Sequence, residues 1–407
     1  MENVDNLNCL MIVSITLIII TATSIYFKFF NSNPGELITK LITENTTIQI
    51  GKEIIIKNDI LFNKLLDKGE LGLAESYMDG DWETNDLGNL LKKLMFYQDI
   101  LEEKAKYQSV NFIYLKLLST YESFFNTNTL VKSPGNIQKH YDVGNDLYNK
   151  MLGKTMQYTC AYFNKENMTL DDAQESKMDL IAKKLDLKEG MDIIDIGCGF
   201  GSMAHHLAKK YKVKVTGVTL SPEQKKFSDE YFGNENVSIE VKDYRLVTGK
   251  FDRVYSVGIL EHIGSKNYKE FFNKCYDLLK DDGIMFCHTM GISRPNDHQN
   301  EYFASNYIFP EGELPDMLNL TEGYSEKWRL EDFQNIGISY SKTFDAWREN
   351  IGNWETLEGY DERFKRMWEY YLHLFAENFR CQNFLLFQNV FTKKIYNRKD
   401  DCLFIRN

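Results

Sequence analysis

Residues 192–201 read DIIDIGCGFG. The apolar first half is typical of a short buried strand. The glycines of the second half let the backbone turn sharply and approach a ligand that a Cβ atom would exclude. Because ligands of open α/β sheets bind at the carboxyl ends of the strands, this segment predicts a strand, a ligand-binding loop and the start of a helix.

Short apolar strands and amphipathic helices alternate after this segment. The alternation favours an α/β fold with a doubly wound, mostly parallel sheet. The predicted strands are 192–196, 213–218, 237–241, 253–257, 284–288 and 385–392, and the predicted helices end at Tyr211, begin at Pro222 and cover 268–279. An aromatic-rich insertion, about 291–327, interrupts this rhythm.

The glycine spacing separates two classes of cofactor. A dinucleotide site has GxGxxG and an acid about 20 residues later, whereas this loop is GxGxG and the next strand ends in VTLS. No Lys-Ser/Thr pair follows the loop, which disfavours a phosphate-binding loop. The acid before the loop, Asp195, and the spacing of Gly197, Gly199 and Gly201 resemble the first motif of class I methyltransferases, which implies S-adenosylmethionine. Nicotinamide binding is the main competing interpretation.

Charge and cysteine content exclude other classes of function. The 407 residues carry a formal net charge of -11 with lysine and arginine scattered among acids, which argues against nucleic acid as a partner. The seven cysteines include no CxxC pair. This pattern argues against a disulfide framework or a zinc site and favours a reducing compartment, so no metal site is predicted.

The N-terminus departs from the rest of the composition. Residues 6–27 contain no charged side chain, and at roughly 1.5 Å per residue they just suffice to cross about 30 Å of hydrocarbon. Glu2 and Asp5 precede the run and Lys28 follows it, unlike a secretory signal. We interpret residues 1–33 as a single-pass transmembrane anchor that leaves the catalytic domain on the cytoplasmic side. A buried or interfacial helix is the alternative.

Two further domains are predicted after the anchor. Residues 34–133 show a helical pattern, with apolar side chains three and four positions apart at Phe112, Leu115, Leu118, Tyr121 and Phe125. Turn-forming residues at 133–135 end this pattern and mark the linker to a catalytic domain, 134–407.

Several segments resemble the cyclopropane-fatty-acyl-phospholipid synthase family, which also includes the mycolic acid cyclopropane synthases. The matching segments follow the family's order and spacing, and they are HYDVGND at 140–146, QYTCAYF at 157–163, GVTLS at 217–221, DYR at 243–245, VGILEH at 257–262 and HT at 288–289. The segment LGLAESYMDGDW at 71–82 resembles the small domain of the phospholipid-acting members.

The resemblance assigns roles residue by residue. It implies a bicarbonate site whose catalytic side chains are Cys160, Glu261, His288 and Tyr340, with a backbone contribution from Met290. It implies cofactor contacts from Tyr158, Thr159, Gly197, Gly199, Thr219, Gln224 and Asp243. Phe375 departs from the pattern, because some phospholipid-acting members carry a reactive cysteine there. Each side chain taken singly has an ordinary structural explanation, and the joint match carries the assignment.

The resemblance implies transfer of a methylene from S-adenosylmethionine to a cis double bond of a phospholipid acyl chain, with bicarbonate as the base. Unsaturated acyl chains and a membrane are the expected partners, residues 34–133 are expected to interact with lipid, and a homodimer is a candidate assembly. The insertion 291–327 is then either a lid or acyl-binding wall, or a purely structural excursion. An amine methyltransferase, an enzyme making methyl-branched lipids and an inactive membrane-anchored lipid-binding scaffold are the alternatives.

Overall fold

The computed structural model describes residues 34–106, 145–233, 235–293, 301–310 and 312–394. The predicted anchor at 1–33, the periodic stretch at 112–125 and the predicted domain boundary at 133–134 lie outside these residues. Within the described ranges, no helix combines the length and the apolar character that a membrane crossing requires.

The chain divides into two compact units, and the described residues of the first are 34–106 with Glu362–Tyr370. This unit is mainly helical. Its elements are α1 (Pro34–Asn45), β1 (Ile55–Ile56), α2 (Ile60–Lys68), α3 (Glu70–Met78), β2 (Trp82–Glu83) and α4 (Leu87–Lys106), with β1 antiparallel to β2.

The segment at 71–82 packs the first unit together. A Cβ atom at Gly72 would collide with the carbonyl oxygen of Lys64, so glycine lets α3 approach α2 closely. The fully buried Trp82 donates its indole N–H to the Leu73 carbonyl at 3.0 Å. The match to the family's small domain therefore coincides with packing positions.

The second unit contains the remaining described residues, including 371–394. Its helices are α5 (Asn145–Leu152), α6 (Leu170–Lys184), α7 (Ser202–Tyr211), α8 (Pro222–Tyr231), α9 (Leu260–Ile263), α10 (Tyr268–Leu278), α11 (Glu301–Tyr307), α12 (Met317–Tyr324), α13 (Gly337–Ile351) and the last ten residues of α14 (Glu362–Arg380). Its strands are β3 (Asp192–Ile196), β4 (Lys214–Thr219), β5 (Val237–Val241), β6 (Phe251–Val257), β7 (Leu279–Ile292), β8 (Trp328–Asn335) and β9 (Phe384–Lys393).

The seven strands form one sheet in the order β5-β4-β3-β6-β7-β9-β8. The pairs from β5 to β7 are parallel, and β9 runs antiparallel to both β7 and β8. In the β7–β9 register, His288 lies opposite Gln388. The predicted mostly parallel α/β sheet is confirmed.

Alternate residues along the strands belong to two apolar clusters, one on each face of the sheet. Ile193 belongs to a cluster with Met178 of α6 and Leu207 of α7. Its neighbour Ile194 belongs to the other cluster, which includes Phe271 of α10. Both faces of the sheet are thus buried, as expected for a parallel sheet between helices.

The prediction for the edge of the sheet was wrong. It assigned no strand to 328–335, but β8 lies there. Only Trp328 and Asp332 of this strand are buried. An edge strand with so little apolar surface lacks the hydrophobic run that marks the inner strands. The insertion also begins two residues later than predicted, because β7 continues through Ile292.

Candidate active site

A cavity of about 1270 Å³, which includes space open to solvent, lies beside the ends of β3, β6 and β7. Its wall combines the glycine loop with the second and fifth family segments, at 157–163 and 257–262. The insertion contributes Ala304, Ser305, Phe309, Gly312, Glu313 and Leu314 to the wall. The insertion therefore forms part of a cavity wall, which favours the first of its two interpretations over a purely structural excursion.

The glycine loop begins directly after β3. Gly197, Gly199 and Gly201 all have positive φ values, of 83°, 54° and 79°, which favour glycine. Gly197 and Gly199 line the cavity, whereas Gly201 does not. A Cβ atom at Gly201 would collide with Ser228 of α8. The third glycine therefore serves helix packing.

Asp195, the last acid before the loop, lines the cavity and is 2% exposed. Burial raises the pKa of Asp195 to about 7, although Tyr255 and Lys177 oppose the rise. Carboxylates with such raised pKa values cluster at functional sites, which is consistent with the predicted role of Asp195 at the cofactor.

A second cavity of about 790 Å³ shares Gly197, Gly199 and Gln224 with the first. Thr219 and Asp243 line this second cavity. The hydroxyl of Thr219 donates to Gln224 Oε1 at 2.6 Å, and Asp243 accepts from Arg245 Nη2 at 2.7 Å. Together the two cavities collect every predicted cofactor residue except Gly201, since Tyr158 and Thr159 line the first. The position of the two cavities suits a cofactor lying across the ends of β3, β4 and β6.

Glu261 lies on α9, directly after β6, and is 8% exposed. Its Oε1 accepts the Met290 N–H at 2.6 Å, while Oε2 has no hydrogen-bond partner among the described residues. Burial raises the pKa of Glu261 to about 7, against the lowering effect of nearby backbone N–H groups and the Thr289 hydroxyl. Glu261 lines the cavity, and a buried acceptor oxygen without a partner is a candidate ligand-binding atom.

His288 lies in β7 and is 2% exposed. The amide of Gln388 donates to His288 Nδ1 at 3.3 Å across the β7–β9 pair, which leaves Nε2 as the N–H donor of a neutral ring. Burial lowers the pKa of His288 well below its ordinary value, and Lys177 and Lys184 lower it further. The imidazole is therefore a neutral donor in the physiological pH range.

The structure brings three of the four predicted catalytic side chains to one cavity, and Cys160 is the exception. Tyr340 of α13 lines the cavity with Glu261 and His288. Cys160 is absent from the lining, and its Sγ donates to the Ala161 carbonyl at 3.1 Å. Burial raises the pKa of the Cys160 thiol, so thiolate chemistry is disfavoured. The prediction of a catalytic side chain at Cys160 has no geometric support here.

Aromatic rings cover much of the remaining wall. Phe309 from the insertion lies 6.3 Å from the ring of Tyr158 and 6.0 Å from that of Tyr371. Phe375 packs 4.9 Å from Tyr371. The hydroxyls of Tyr158 and Tyr371 are 2.9 Å apart. Such a wall suits an apolar ligand, and aromatic rings close to a bound cation stabilise its charge.

Three polar wall or support residues were missed by the sequence analysis: Gln157, Lys177 and His262. Gln157 and His262 line the first cavity, and burial lowers the pKa of His262 to about 4. Lys177 lies behind Gln157 on α6. The burial of Lys177 could have been predicted from the sequence, because Lys177 lies on the same helix face as the apolar Met178 and Ile181.

The sequence matches the mycolic acid cyclopropane synthetase family over residues 128–389. It is 39% identical to the cyclopropane-fatty-acyl-phospholipid synthase of Escherichia coli K12 over 347 residues, which are 85% of this chain and 89% of that protein. The structure resembles a cyclopropane synthase from Mycobacterium tuberculosis with a TM-score of 0.59 and 27% identity, covering 64% of this chain and 98% of the other.

A second solved relative is a mycolic acid cyclopropane synthase in complex with SAH and CTAB. It has a TM-score of 0.58 and 30% identity, and the match covers 64% of this chain and 98% of the relative. The sheet order, the glycine loop and these similarities agree. The chain belongs to the mycolic acid cyclopropane synthetase family of S-adenosylmethionine-dependent methyltransferases.

Proposed function

We propose that this chain is a cyclopropane-fatty-acyl-phospholipid synthase. It adds the one-carbon unit of S-adenosylmethionine to a cis double bond of a phospholipid acyl chain and releases S-adenosylhomocysteine and a proton. The observation that carries the proposal is Glu261, a buried carboxylate with one unpartnered oxygen beside a glycine loop and an aromatic wall. The 39% identical Escherichia coli synthase supports the same reaction.

The aromatic wall suits the first step of this reaction, in which the alkene is methylated and a cation forms. An isolated alkene is a poor nucleophile, so holding it in line with a sulfonium methyl supplies several kcal/mol toward the barrier. Methylation leaves a positive charge on the former alkene, and water must be excluded so that this charge is not quenched. Tyr158, Phe309 and Tyr371 line the space, where aromatic rings stabilise a nearby cation and exclude water.

Removal of one proton closes the ring, and Glu261 and His288 fit the bicarbonate that the resemblance implies. Bicarbonate would supply a small proton acceptor in a pocket without bulk water. Glu261 Oε2 offers the acceptor for its hydroxyl, and His288 Nε2 offers a donor for its oxygens. The backbone N–H of Met290 holds Glu261 in place through Oε1.

Depletion of bicarbonate tests this part of the proposal. We expect turnover to fall roughly tenfold or more in degassed, carbonate-free buffer, in line with the loss of a positioned base. Added bicarbonate should restore it. The measurement is initial rate against bicarbonate concentration, with S-adenosylmethionine binding followed in parallel as a control. Full turnover without bicarbonate would assign proton removal to another group.

Membrane association completes the proposal. The N-terminal segment 1–33 serves as a single-pass anchor, residues 34–133 contact lipid, and the catalytic domain 134–407 lies on the cytoplasmic side. The support is the uncharged run at 6–27 and the small-domain segment at 71–82. A homodimer is the proposed assembly, and sedimentation equilibrium of the detergent-solubilised chain tests it.

Deletion of residues 1–30 tests the anchor. We expect the truncated chain to leave the membrane fraction and to bind S-adenosylmethionine normally, because the family segments, from 71–82 onward, and the family match over residues 128–389 lie beyond this segment. The measurement is fractionation together with calorimetric cofactor binding. Loss of folding on truncation would show that the segment belongs to a packed core.

Lipid analysis tests the reaction itself. The full chain should be expressed in a host without cyclopropane lipids. We expect fatty acids heavier by one methylene that carry cyclopropane proton resonances. A methyl branch would indicate transfer without ring closure, and a methylated amine would indicate a different substrate class. No new product together with no S-adenosylmethionine binding would favour an inactive scaffold.

A further inference from the structure

Lys177 of α6 is completely buried, at 0% exposed, and belongs to none of the predicted sites. Its Nζ donates to Thr159 Oγ1 at 2.7 Å and also to Gln157 Oε1. Both acceptors belong to neutral side chains. A buried lysine without a hydrogen-bonded carboxylate is costly for a fold, so its neighbours indicate why it is there.

The hydrogen bonds of Lys177 converge on one short segment. Gln157, Tyr158 and Thr159 all line the first cavity. Gln174, which lies one helical turn before Lys177, donates to the Thr159 carbonyl at 2.9 Å. Two side chains of α6 therefore hold this segment from behind while its other side forms the cavity wall.

The same segment is tied to the helix that follows the glycine loop. Gln157 Nε2 donates to Ser202 Oγ at 2.8 Å, and Ser202 is the first residue of α7. The chain of hydrogen bonds thus runs from Lys177 through Gln157 to Ser202. It fixes the distance between the segment 157–159 and the end of the glycine loop.

Electrostatics agree with a dedicated role for this side chain. Burial lowers the pKa of Lys177 to about 7, with opposing contributions from Cys160 and Asp195. An apolar side chain of similar length would fill the same space without this cost. Methionine is such a side chain, but it has no N–H donors with which to hold Gln157 and Thr159.

We propose that Lys177 is a positioning residue for S-adenosylmethionine, which acts by holding Gln157 and Thr159 against the cofactor cavity. The proposal rests on the proposed function only in that the cavity takes S-adenosylmethionine. Lys177 itself lines neither cavity, so its effect on the cofactor passes through its two hydrogen-bond partners.

The test is Lys177→Met in the full chain, measured by calorimetric titration with S-adenosylmethionine and by steady-state kinetics. We expect the Kd and the KM for S-adenosylmethionine to rise about tenfold or more, as for the loss of hydrogen bonds to a charged donor. The KM for phospholipid and the kcat at saturating cofactor should stay within roughly threefold. An unchanged Kd would overturn the proposal.

Lys184→Met is the matched control. Lys184 lies two turns later on α6, is 1% exposed and pairs with Asp332 of β8 at 3.1 Å. It shares the burial and the helix of Lys177, but its ion pair is with β8 and not with the segment 157–159. We expect this variant to lose thermal stability and to keep its cofactor Kd. An equal loss of affinity in both variants would assign the effect to general destabilisation and contradict the proposal.

Gln157→Met provides a second route, also where Lys177→Met does not fold. It removes the acceptor of Lys177, and we expect a rise in Kd of similar size. Where both single variants fold, the double variant should bind about as weakly as the weaker of the two, because the residues act as a unit. An unchanged Kd in Gln157→Met, or additive losses in the double variant, would refute the route through Gln157. Normal cofactor binding without ring formation would instead defeat the proposed function and leave this inference intact.

Discussion

Glu261→Gln is expected to lower turnover by about 10²-fold or more, the range for removing a positioned polar group from an active site. The amide keeps the size of the side chain, and its oxygen can still accept from Met290 N–H. It replaces the unpartnered Oε2 with a donor, so the proposed acceptor for a bicarbonate hydroxyl is lost. The measurement is kcat at saturating substrate, alongside the S-adenosylmethionine Kd, which should not change.

Glu377→Gln is the control for this prediction. Glu377 is also buried, at 6% exposed, but it lies on α14 and lines neither cavity. We expect its turnover to stay within roughly threefold of the unmodified chain. Near-normal turnover in Glu261→Gln, or an equal loss in both variants, would count against the assigned role of Glu261.

Glu261→Gln is also expected to raise the stability of the chain in a pH-dependent way. Burial raises the pKa of Glu261 from 4.5 to about 7, so between these values the folded chain holds a proton that the unfolded chain has lost. The stabilising contribution of this group is complete below pH 4.5 and disappears as the pH rises through 7. Glutamine does not ionise, so at pH 8 the free energy of unfolding of the variant should exceed that of the unmodified chain by up to about 3 kcal/mol. This difference should shrink toward pH 5, and thermal melts across the pH range measure it. A gain independent of pH would contradict the burial argument.

Gly197→Ala is expected to weaken S-adenosylmethionine binding by about 10²-fold. The backbone at Gly197 has φ of 83°, which costs alanine about 1 kcal/mol, and the added Cβ would collide with Ile259. Ile259 lines the second cavity, so its displacement narrows the space for the cofactor. Isothermal titration with S-adenosylmethionine measures the effect.

Gly190→Ala separates the backbone cost from the cofactor effect. Gly190 has nearly the same φ, 82°, but a Cβ there meets nothing within 4 Å, and it lines neither cavity. This variant should lose about 1 kcal/mol of stability and bind the cofactor normally. Equal affinities of the two alanine variants for S-adenosylmethionine would show that the loop at Gly197 does not hold the cofactor.

The inner strands were predictable because they are short, apolar and bounded by turns. The prediction for β3 has the observed bounds, and β4 and β9 begin within one residue of their predicted starts. The strand β8 was not predictable in this way, because at the sheet edge Asp332 and Glu331 interrupt its apolar pattern. Its pairing with β9 depends on tertiary context that no local window contains.

The position of Glu261 was predictable because a family segment places it directly after β6. Glu261, His288 and Tyr340 line one cavity as expected. Cys160 does not line this cavity, and its role stays a prediction, since a family match at a position does not say whether its side chain or its backbone faces the ligand. Lys177 was missed for the opposite reason, because it lies outside the quoted segments and acts from behind the wall.

The strand β9 enters the sheet between β7 and β8 and carries Gln388 to its place opposite His288. During synthesis on the ribosome, the glycine loop and Glu261 emerge more than a hundred residues before Gln388. The imidazole therefore acquires its tautomer only when almost the whole polypeptide has been made. A nascent or prematurely terminated chain has the glycine loop but lacks the partner that orients the His288 ring, so the proposed proton removal and ring closure must await assembly of the sheet.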